Sequence, residues 1–278
     1  MGSQVLHIDC PDEKGLVYKI TEVIYDHGLN IINNQEFVDS STQHFVMRTE
    51  FEGSETPNGV LEDLEKALPE AANIRKAEIG KRSMVIMATK EPHCLGDLLL
   101  QYRYGEIPAR VEAVISNHNG LKSLADAFDV PYHYVSHQNV DRTAHEKEIL
   151  DIIGQLKPDY IVLAKYMRIL TPEFVSRFKN RIINIHHSFL PAFVGANPYK
   201  QAFERGVKII GATAHFVTDD LDQGPIIAQD VLPVNHTFTA EQMTKAGRDV
   251  EKLVLAKAVK LLLEERIFIH GNRTIVFE

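Results

Sequence analysis

Between residues 84 and 186, short apolar runs alternate with amphipathic stretches, and this rhythm constrains the fold more than any other feature. The runs have strand length, whereas the stretches between them place apolar residues at helical spacing. Strands separated by helices run parallel, because each helix carries the chain back across the sheet. The pattern predicts a doubly wound, mainly parallel α/β domain over residues 83–278, with ligands at the carboxyl ends of its strands. The predicted strands are Met84–Ala88, Ala109–Ser116, Tyr132–Val135, Tyr160–Ala164 and Ile182–His186.

The sequence after residue 208 has a different pattern. Residues 209–216 and 226–233 are strand-like runs without a helix between them, which favours an antiparallel pair. Residues 240–263 place apolar side chains at helical periodicity and predict a long helix that covers this pair.

Residues 1–80 form a region of their own. They contain 15 acidic and 6 basic residues, a net charge of −9, whereas the remaining residues are nearly neutral. Their pattern is strand, helix, strand, strand, helix, strand, which predicts a ferredoxin-like βαββαβ domain with two helices on one face of an antiparallel sheet. Gly80–Ser83 reads as a short linker to the second domain.

Composition excludes several classes of function. The chain has 30 basic and 38 acidic residues, and this net charge of −8 argues against a general nucleic-acid or anionic-membrane binder. No apolar run reaches the roughly 18 residues of a membrane span. The two cysteines, Cys10 and Cys94, lie far apart and outside any CxxC motif, and the first residues lack a signal-peptide pattern. We expect a cytoplasmic protein without disulfides.

The densest group of reactive side chains is Asn184-Ile185-His186 at the end of a predicted buried strand. Side chains alternate along a strand, so the amide and the imidazole point to the same face and can together stabilise an oxyanion. An acidic loop at residues 218–225 follows, and one of its carboxylates can act as a base or orient a water.

Two other interpretations of these residues stay open at this point. The histidine can simply satisfy a backbone carbonyl, and the acidic loop can be an ordinary solvated turn. A metal site built from His186, His187, His215 and the acids is less favoured, because neighbouring strand residues point to opposite sides and no HExxH spacing is present.

Four motifs carry a family resemblance. Residues 184–186, 188–195, 211–217 and 222–229, in this order, resemble the signature of the folate-dependent formyltransferase family. Residues 166–170, Tyr-Met-Arg-Ile-Leu, resemble the folate-side loop of that family. The resemblance covers residues 83–278, and residues 1–80 resemble an ACT domain, a regulatory βαββαβ module.

The resemblance implies specific roles for residues of this chain. The family's Asn-His-Asp triad falls on Asn184, His186 and Asp222. The first two would polarise the formyl oxygen, and the aspartate would manage the attacking water and the proton transfer. No metal or other cofactor is implied. The residues that would bind the folate substrate are Arg168, Ile169, Leu170, Phe193, Gly195, Thr218, Asp219 and Asp220.

One loop distinguishes between the activities of the family. Its glycinamide ribonucleotide formyltransferases carry a Gly- and Ser-rich phosphate loop, but residues 89–97 here hold one glycine, one proline and two acids. Water is then the simplest acceptor, which predicts hydrolysis of 10-formyltetrahydrofolate to formate and tetrahydrofolate in one-carbon metabolism and purine biosynthesis. The alternatives are formyl transfer to an amine acceptor and a non-catalytic protein that binds folate or an amino acid. The basic extension of a tRNA formyltransferase is not evident.

The acidic region suggests regulation. Asp12, Gly15 and Asn30 lie where ACT-type modules often hold small amino acids, so glycine or methionine is a sensible effector. An equally good interpretation is a module that forms a homo-oligomer by pairing sheets edge to edge.

Overall fold

The computed structural model describes residues 4–52, 59–80, 82–192 and 198–278. Backbone contacts divide the chain into two units. The first comprises Met1–Lys81 together with Glu264–Phe268 and Val276–Glu278, and the second comprises Arg82–Leu263 and Ile269–Ile275. The short segments near the carboxyl terminus thus alternate between the units, whereas the sequence pattern assigned all of them to the second region.

The first unit is a four-stranded antiparallel sheet in the order β2-β3-β1-β4 with two helices. This is the βαββαβ arrangement that its apolar pattern predicts. Its elements are β1 (Gln4–Pro11), α1 (Leu16–Asp26), β2 (Asn30–Asp39), β3 (His44–Glu52), α2 (Val60–Ala67) and β4 (Asn73–Glu78).

The core of the first unit follows from two periodicities. Phe45, Met47 and Phe51 alternate along β3, and all three are buried. On α1, every fourth residue, beginning at Leu16 and including Ile20, faces the same core. The helix ends before Gly28, which adopts a φ of 69° and donates its N–H to a carbonyl of the last turn.

The second unit contains a seven-stranded sheet in the order β11-β10-β9-β8-β5-β6-β7. Strands β5 to β9 pair in parallel, and β10 and β11 add in antiparallel fashion, which confirms the predicted fold class. Its strands are β5 (Arg82–Ala88), β6 (Ala109–Ser116), β7 (Tyr132–Tyr134), β8 (Tyr160–Leu163), β9 (Ile182–His186), β10 (Ile209–Phe216) and β11 (Ile226–Pro233).

Helices cover this sheet, and local capping signals explain where two of them begin. The side chains of Asp141 and Thr171 accept hydrogen bonds from the first turns of α5 and α6, and Pro172 fits the first position of α6. The helices are α3 (His93–Arg103), α4 (Lys122–Asp126), α5 (Arg142–Leu156), α6 (Pro172–Arg177), α7 (Pro198–Arg205) and α8 (Ala240–Leu263).

Sequence patterns missed α7 and the closing hairpin of β12 (Ile267–His270) and β13 (Arg273–Val276). Both are short, and neither carries a long periodic apolar run. In the part of the chain that the structure describes, no helix is long and apolar enough to cross a membrane.

Candidate active site

Strand β9 delivers two polar side chains to its carboxyl end. Its isoleucines, including Ile183 and Ile185, are buried in the core of the second unit, which fixes the strand. Asn184 and His186 alternate with them, and His186 is only 5% exposed. The predicted placement of the amide and the imidazole on one strand face follows from this alternation.

Strand β10 brings a third polar residue to the same place. It pairs with β9 in antiparallel fashion, so that His215 lies opposite Asn184. The Nδ1 of His215 donates to the carbonyl of Phe216 (2.9 Å), and its Nε2 lies 3.2 Å from the amide nitrogen of Asn184. The histidine is 2% exposed, so this pair is fixed by the core.

A tight loop after β10 turns Asp222 toward these residues. Gly224 packs against the end of β10 so closely that a Cβ there would lie 1.8 Å from the carbonyl oxygen of Phe216. Asp222 itself adopts a left-handed φ of 57°, which residues with a Cβ rarely do. Backbone strain of this kind is typical of functional sites.

The carboxylate of Asp222 bridges the two histidines. Its Oδ2 lies 3.3 Å from Nδ1 of His186, and its Oδ1 lies 3.7 Å from Nε2 of His215. Together with the bond between His215 and Asn184, these contacts join four side chains from two strands and one loop. The structure therefore brings the three predicted triad residues together.

The charge of Asp222 is set by opposing effects. Burial disfavours the ionised carboxylate, but the hydrogen bonds and the positive potential of His186 and His215 outweigh it and hold the pKa of Asp222 well below its usual range. The group is therefore a carboxylate at neutral pH.

The other ring nitrogen of His186 is available for a ligand. Its Nε2 is buried and has no hydrogen-bond partner among the described residues, although buried polar atoms usually have one. The expectation that His187 points to the opposite side was wrong, since the two rings lie 5.2 Å apart and both line the same cleft. Strand β9 ends at His186, so alternation does not extend to the next residue.

These groups open onto a cleft of about 430 Å³. One wall is formed by residues 166–170, and the other by residues 217–219 and Leu221. Met167, Ile169 and Leu221 are large apolar side chains that stay more than half exposed at this cleft. Such a slot, apolar along its walls and polar at one end, suits a flat aromatic ligand with a reactive polar group.

Comparison with known proteins identifies the family. A family model described as formyl transferase matches residues 82–259, and one described as ACT domain matches residues 4–69. The formyltetrahydrofolate deformylase of Escherichia coli K12 is 56% identical over 273 residues, which are 98% of this chain and 98% of the relative. The chain belongs to the formyltetrahydrofolate deformylase family.

Two further relatives agree with this membership. The formyltetrahydrofolate deformylase of Bacillus subtilis is 45% identical over 98% of this chain and 93% of its own length. The crystal structure of a formyltetrahydrofolate deformylase from Pseudomonas syringae pv. tomato matches with a TM-score of 0.96 and 40% identity, covering 100% of this chain and 95% of that one. The resemblance on sequence motifs is thereby confirmed.

In this member of the deformylase family, five of the eight expected folate-binding residues line the cleft. Arg168, Ile169 and Leu170 line one side of the cleft, and Thr218 and Asp219 line the other. Asp220 does not line the cleft, and its carbonyl accepts a hydrogen bond from Thr218 (3.1 Å). Two expected residues lie outside the described residues: Phe193 and Gly195.

Sequence reasoning left two residues out of the site. His215 lies in the third family motif and was weighed only as a metal ligand, but the pairing of β10 with β9 makes it a partner of Asn184. Lys165 directly precedes the Tyr166–Leu170 motif and lines the cleft, and no spacing rule singles it out. Both are found through long-range contacts.

One group of side chains has the composition of a metal site. Ligand atoms of His93, Cys94 and Glu251 lie within 4.8 Å of one another. The carboxylate of Glu251 already accepts hydrogen bonds from His93 (2.8 Å) and Tyr199 (2.7 Å). Burial raises the pKa of the Cys94 thiol, which keeps it protonated. The Nε2 of His93 and the carboxylate of Glu251 are thus engaged with each other.

In the first unit, the residues expected to bind an effector are exposed. Asp12 follows β1, and Gly15 is the N-cap residue that precedes α1, with a φ of 93°. Asn30 is the first residue of β2. All three side-chain positions are accessible to solvent at the ends of their elements.

Proposed function

We propose that this chain hydrolyses 10-formyltetrahydrofolate to formate and tetrahydrofolate. The observation that carries the proposal is the cluster of Asn184, His186 and Asp222 at the polar end of an apolar cleft. The names of its relatives support the same reaction.

Substrate binding uses the shape of the cleft. The pteridine ring lies between the apolar side chains of residues 166–170 and those of Val217 and Leu221, and Arg168, Thr218 and Asp219 supply polar contacts. In this pose the formyl group reaches the polar end, next to the buried Nε2 of His186. Burial of the ring orients the formyl carbon before the reaction.

The chemical step is the attack of water on the formyl carbon. A C–O bond forms, the carbonyl oxygen becomes an oxyanion, and the C–N10 bond then breaks as N10 takes up a proton. Asn184 donates its amide hydrogen to the oxyanion, and protonated His186 donates from Nε2. Formate leaves, and tetrahydrofolate remains in the cleft.

Asp222 serves as an ionised partner in this scheme. Because the pKa of its carboxyl is held well below the usual range, it is a weak base in the free site. We assign it two tasks. It stabilises the protonated form of His186 across 3.3 Å, and it orients the attacking water and transfers the proton of that water to N10. The reaction is proposed to need no metal or other cofactor, so that treatment with a chelator leaves turnover unchanged.

The decisive assay measures free formate. Purified protein is incubated with 10-formyltetrahydrofolate and no amine, and formate and tetrahydrofolate are quantified. We expect equal amounts of the two products. If tetrahydrofolate appears only when an amine acceptor is added, the chain is a formyltransferase, and if neither product forms while folate binds, it is a binding protein.

The first unit is proposed to regulate this reaction by binding glycine or methionine at Asp12, Gly15 and Asn30. Their exposure at element ends and the match to the ACT family model support an amino-acid site. Titration of the full chain with each amino acid tests it, and absence of binding heat and of any effect on turnover would refute it.

Self-association is the other proposed role of this unit. Strand β2 forms one edge of the first sheet and leaves Ile32 and Phe37 46% exposed. A bare apolar edge is a template for pairing with a second copy. We place the reaction in the cytoplasm, in agreement with the two free, buried cysteines.

A further inference from the structure

A second cavity, of about 550 Å³, adjoins the cleft in the second unit. Lys165, Met167, Arg168 and His187 line both spaces. This shared wall lies beside the reactive end of the cleft, since His187 directly follows His186. The cavity is large enough to admit a small nucleophile, so the wall can influence which nucleophile reaches the formyl carbon.

Lys165 is the unusual residue of this wall. It follows the end of β8 in a left-handed conformation with a φ of 61°, and it is 8% exposed. A buried lysine with such a backbone is disfavoured on both counts, by strain and by desolvation of its charge. Strained residues of this kind occur where the surrounding structure stabilises them, and they cluster at functional sites.

Glu251 holds the lysine in place. The Nζ of Lys165 lies 3.2 Å from Oε2 of Glu251, which is 1% exposed. His93 and Tyr199 bond to the same carboxylate. Burial opposes its ionisation, but these partners and the lysine charge lower the pKa of Glu251 to about 2. The carboxylate of Glu251 is therefore ionised at neutral pH, and its contact with Lys165 fixes the position of the lysine.

The charges that line the second cavity disfavour a protonated amine. Its described lining includes two carboxylates, and each already faces a cation: Glu91 lies 2.8 Å from Arg248, and Glu251 pairs with Lys165. Lys90 and Lys200 add further positive charge to the lining. A protonated amine meets repulsion here, whereas water carries no charge.

We propose that Lys165, anchored by Glu251, makes this site select water over amines as the nucleophile. The inference rests on the proposed hydrolysis and adds the basis of its acceptor specificity. Lys165 acts on the incoming nucleophile through its charge, and Glu251 is a positioning residue that fixes the ammonium in the wall.

The two competing reactions differ in where positive charge develops. When water attacks, its proton passes to Asp222 and then to N10, and formate is released. When an amine attacks, a C–N bond forms and the nitrogen is cationic until it loses a proton. That cation would form near Lys165, and the like charge disfavours the path to the N-formyl amine and tetrahydrofolate.

The experiment measures how products partition. The full chain turns over 10-formyltetrahydrofolate in the presence of glycinamide, and formate and N-formylglycinamide are quantified, with the rate in the absence of protein subtracted. The wild-type chain should give formate almost alone. In Lys165→Met we expect the ratio of N-formylglycinamide to formate to rise at least about tenfold, the effect of one like charge at short range.

Variants separate charge from structure. Lys165→Met/Glu251→Gln leaves no unpaired buried carboxylate and serves if the single variant folds poorly; its ratio should also rise, but by less, because the attraction of Glu251 for the cationic nitrogen is lost as well. Lys165→Arg should keep the wild-type ratio, as should Lys147→Met, which removes an exposed lysine of α5 that lines neither space.

The outcomes are distinct. An unchanged ratio in both methionine variants, or an equal rise in Lys165→Arg, overturns the inference. Absence of formate from the wild-type protein overturns the proposed function instead.

Discussion

Asn184 is held by the core on one side and by His215 on the other, so its amide is fixed before a substrate arrives. Such preorganised donors are worth several kcal/mol when charge develops on an oxygen. For Asn184→Ala we expect kcat to fall by about 10²–10³ while KM changes little. Steady-state kinetics on the folded variant check this, and near-normal turnover would remove Asn184 from the oxyanion role.

The charge of Asp222 can be removed by a substitution that preserves its backbone conformation. Asparagine tolerates the left-handed conformation that residue 222 adopts, so Asp222→Asn keeps the loop while removing the charge. We expect normal folding and folate binding, with kcat lowered at least about 10²-fold.

The matched control for this change is Asp220→Asn, in the same loop but outside the cleft lining. It should retain most of the wild-type turnover. If Asp222→Asn fails to fold while the control folds, the aspartate is mainly structural.

At the level of strands and loops, Gly224 determines how the loop after β10 packs. An added methyl group would overlap the carbonyl of Phe216, which is backbone and cannot rotate away. We expect Gly224→Ala to lower the free energy of unfolding by about 1–3 kcal/mol and to reduce turnover by shifting Asp222.

Gly154→Ala is the comparison for this glycine. Gly154 lies inside α5 with nothing within 4 Å of the added Cβ, so alanine there should stabilise the chain by about 0.5–1 kcal/mol. Urea unfolding of both variants measures the difference, and equal stabilities would contradict the packing argument.

The closing hairpin supports the same loop from another direction. Asn272 donates its amide to the carbonyl of Gln223 (3.1 Å), one residue after Asp222, and Thr274 donates to the carbonyl of Ile226 (2.5 Å). For Asn272→Ala we expect about a tenfold lower kcat, because a small displacement of a reactive group is costly.

Asn235→Ala serves as the control for Asn272, since the side-chain oxygen of Asn235 accepts hydrogen bonds from Thr237 in its own turn. Its kcat should equal that of the wild-type chain. Equal kinetics of the two variants would mean that the hairpin does not position the loop.

For the complete chain, the buried His7 and the half-buried His187 predict how stability depends on pH. Burial, aided by neighbouring cations, lowers the pKa of His7 in the first unit and of His187 in the second to about 4. In the unfolded chain these groups titrate near ~6.5. Between these values the unfolded state binds more protons, so stability falls as pH decreases from about 6.5 toward 4.

The measurement compares unfolding at pH 7 and pH 5. Each histidine should lower the free energy of unfolding by at most about 2 kcal/mol between pH 7 and pH 5. In His7→Gln this loss of stability should be smaller by the part that His7 contributes. His236→Gln, at an exposed histidine, should leave the loss unchanged. If His7→Gln loses as much stability as the wild-type chain, His7 is not a titrating group.

Local spacing was enough to predict most elements of the fold. The bounds of β9, β10, β11 and α8 agree with the apolar pattern, because buried residues at period 2 or 3.6 mark these elements within a few residues of sequence. Short elements such as α7 contain too few turns for a periodic apolar pattern to be recognised.

Asn184 and His186 were found for the same reason, since one strand places them on one face. The family motifs then identified Asp222. It lies 36 positions from His186 in the sequence, and no rule of residue spacing connects the two. The sequence thus predicted which residues form the cluster but not the distances between them.

Contacts between distant segments account for the rest. His215 joins Asn184 through strand pairing, and Lys165 meets Glu251 across 86 positions of sequence. The direction of the Asp222 pKa shift depends on whether burial or two histidines prevail, and only their distances in the folded chain settle that balance. Periodicity is a local property of the chain, whereas electrostatics depends on which groups the fold brings near each other.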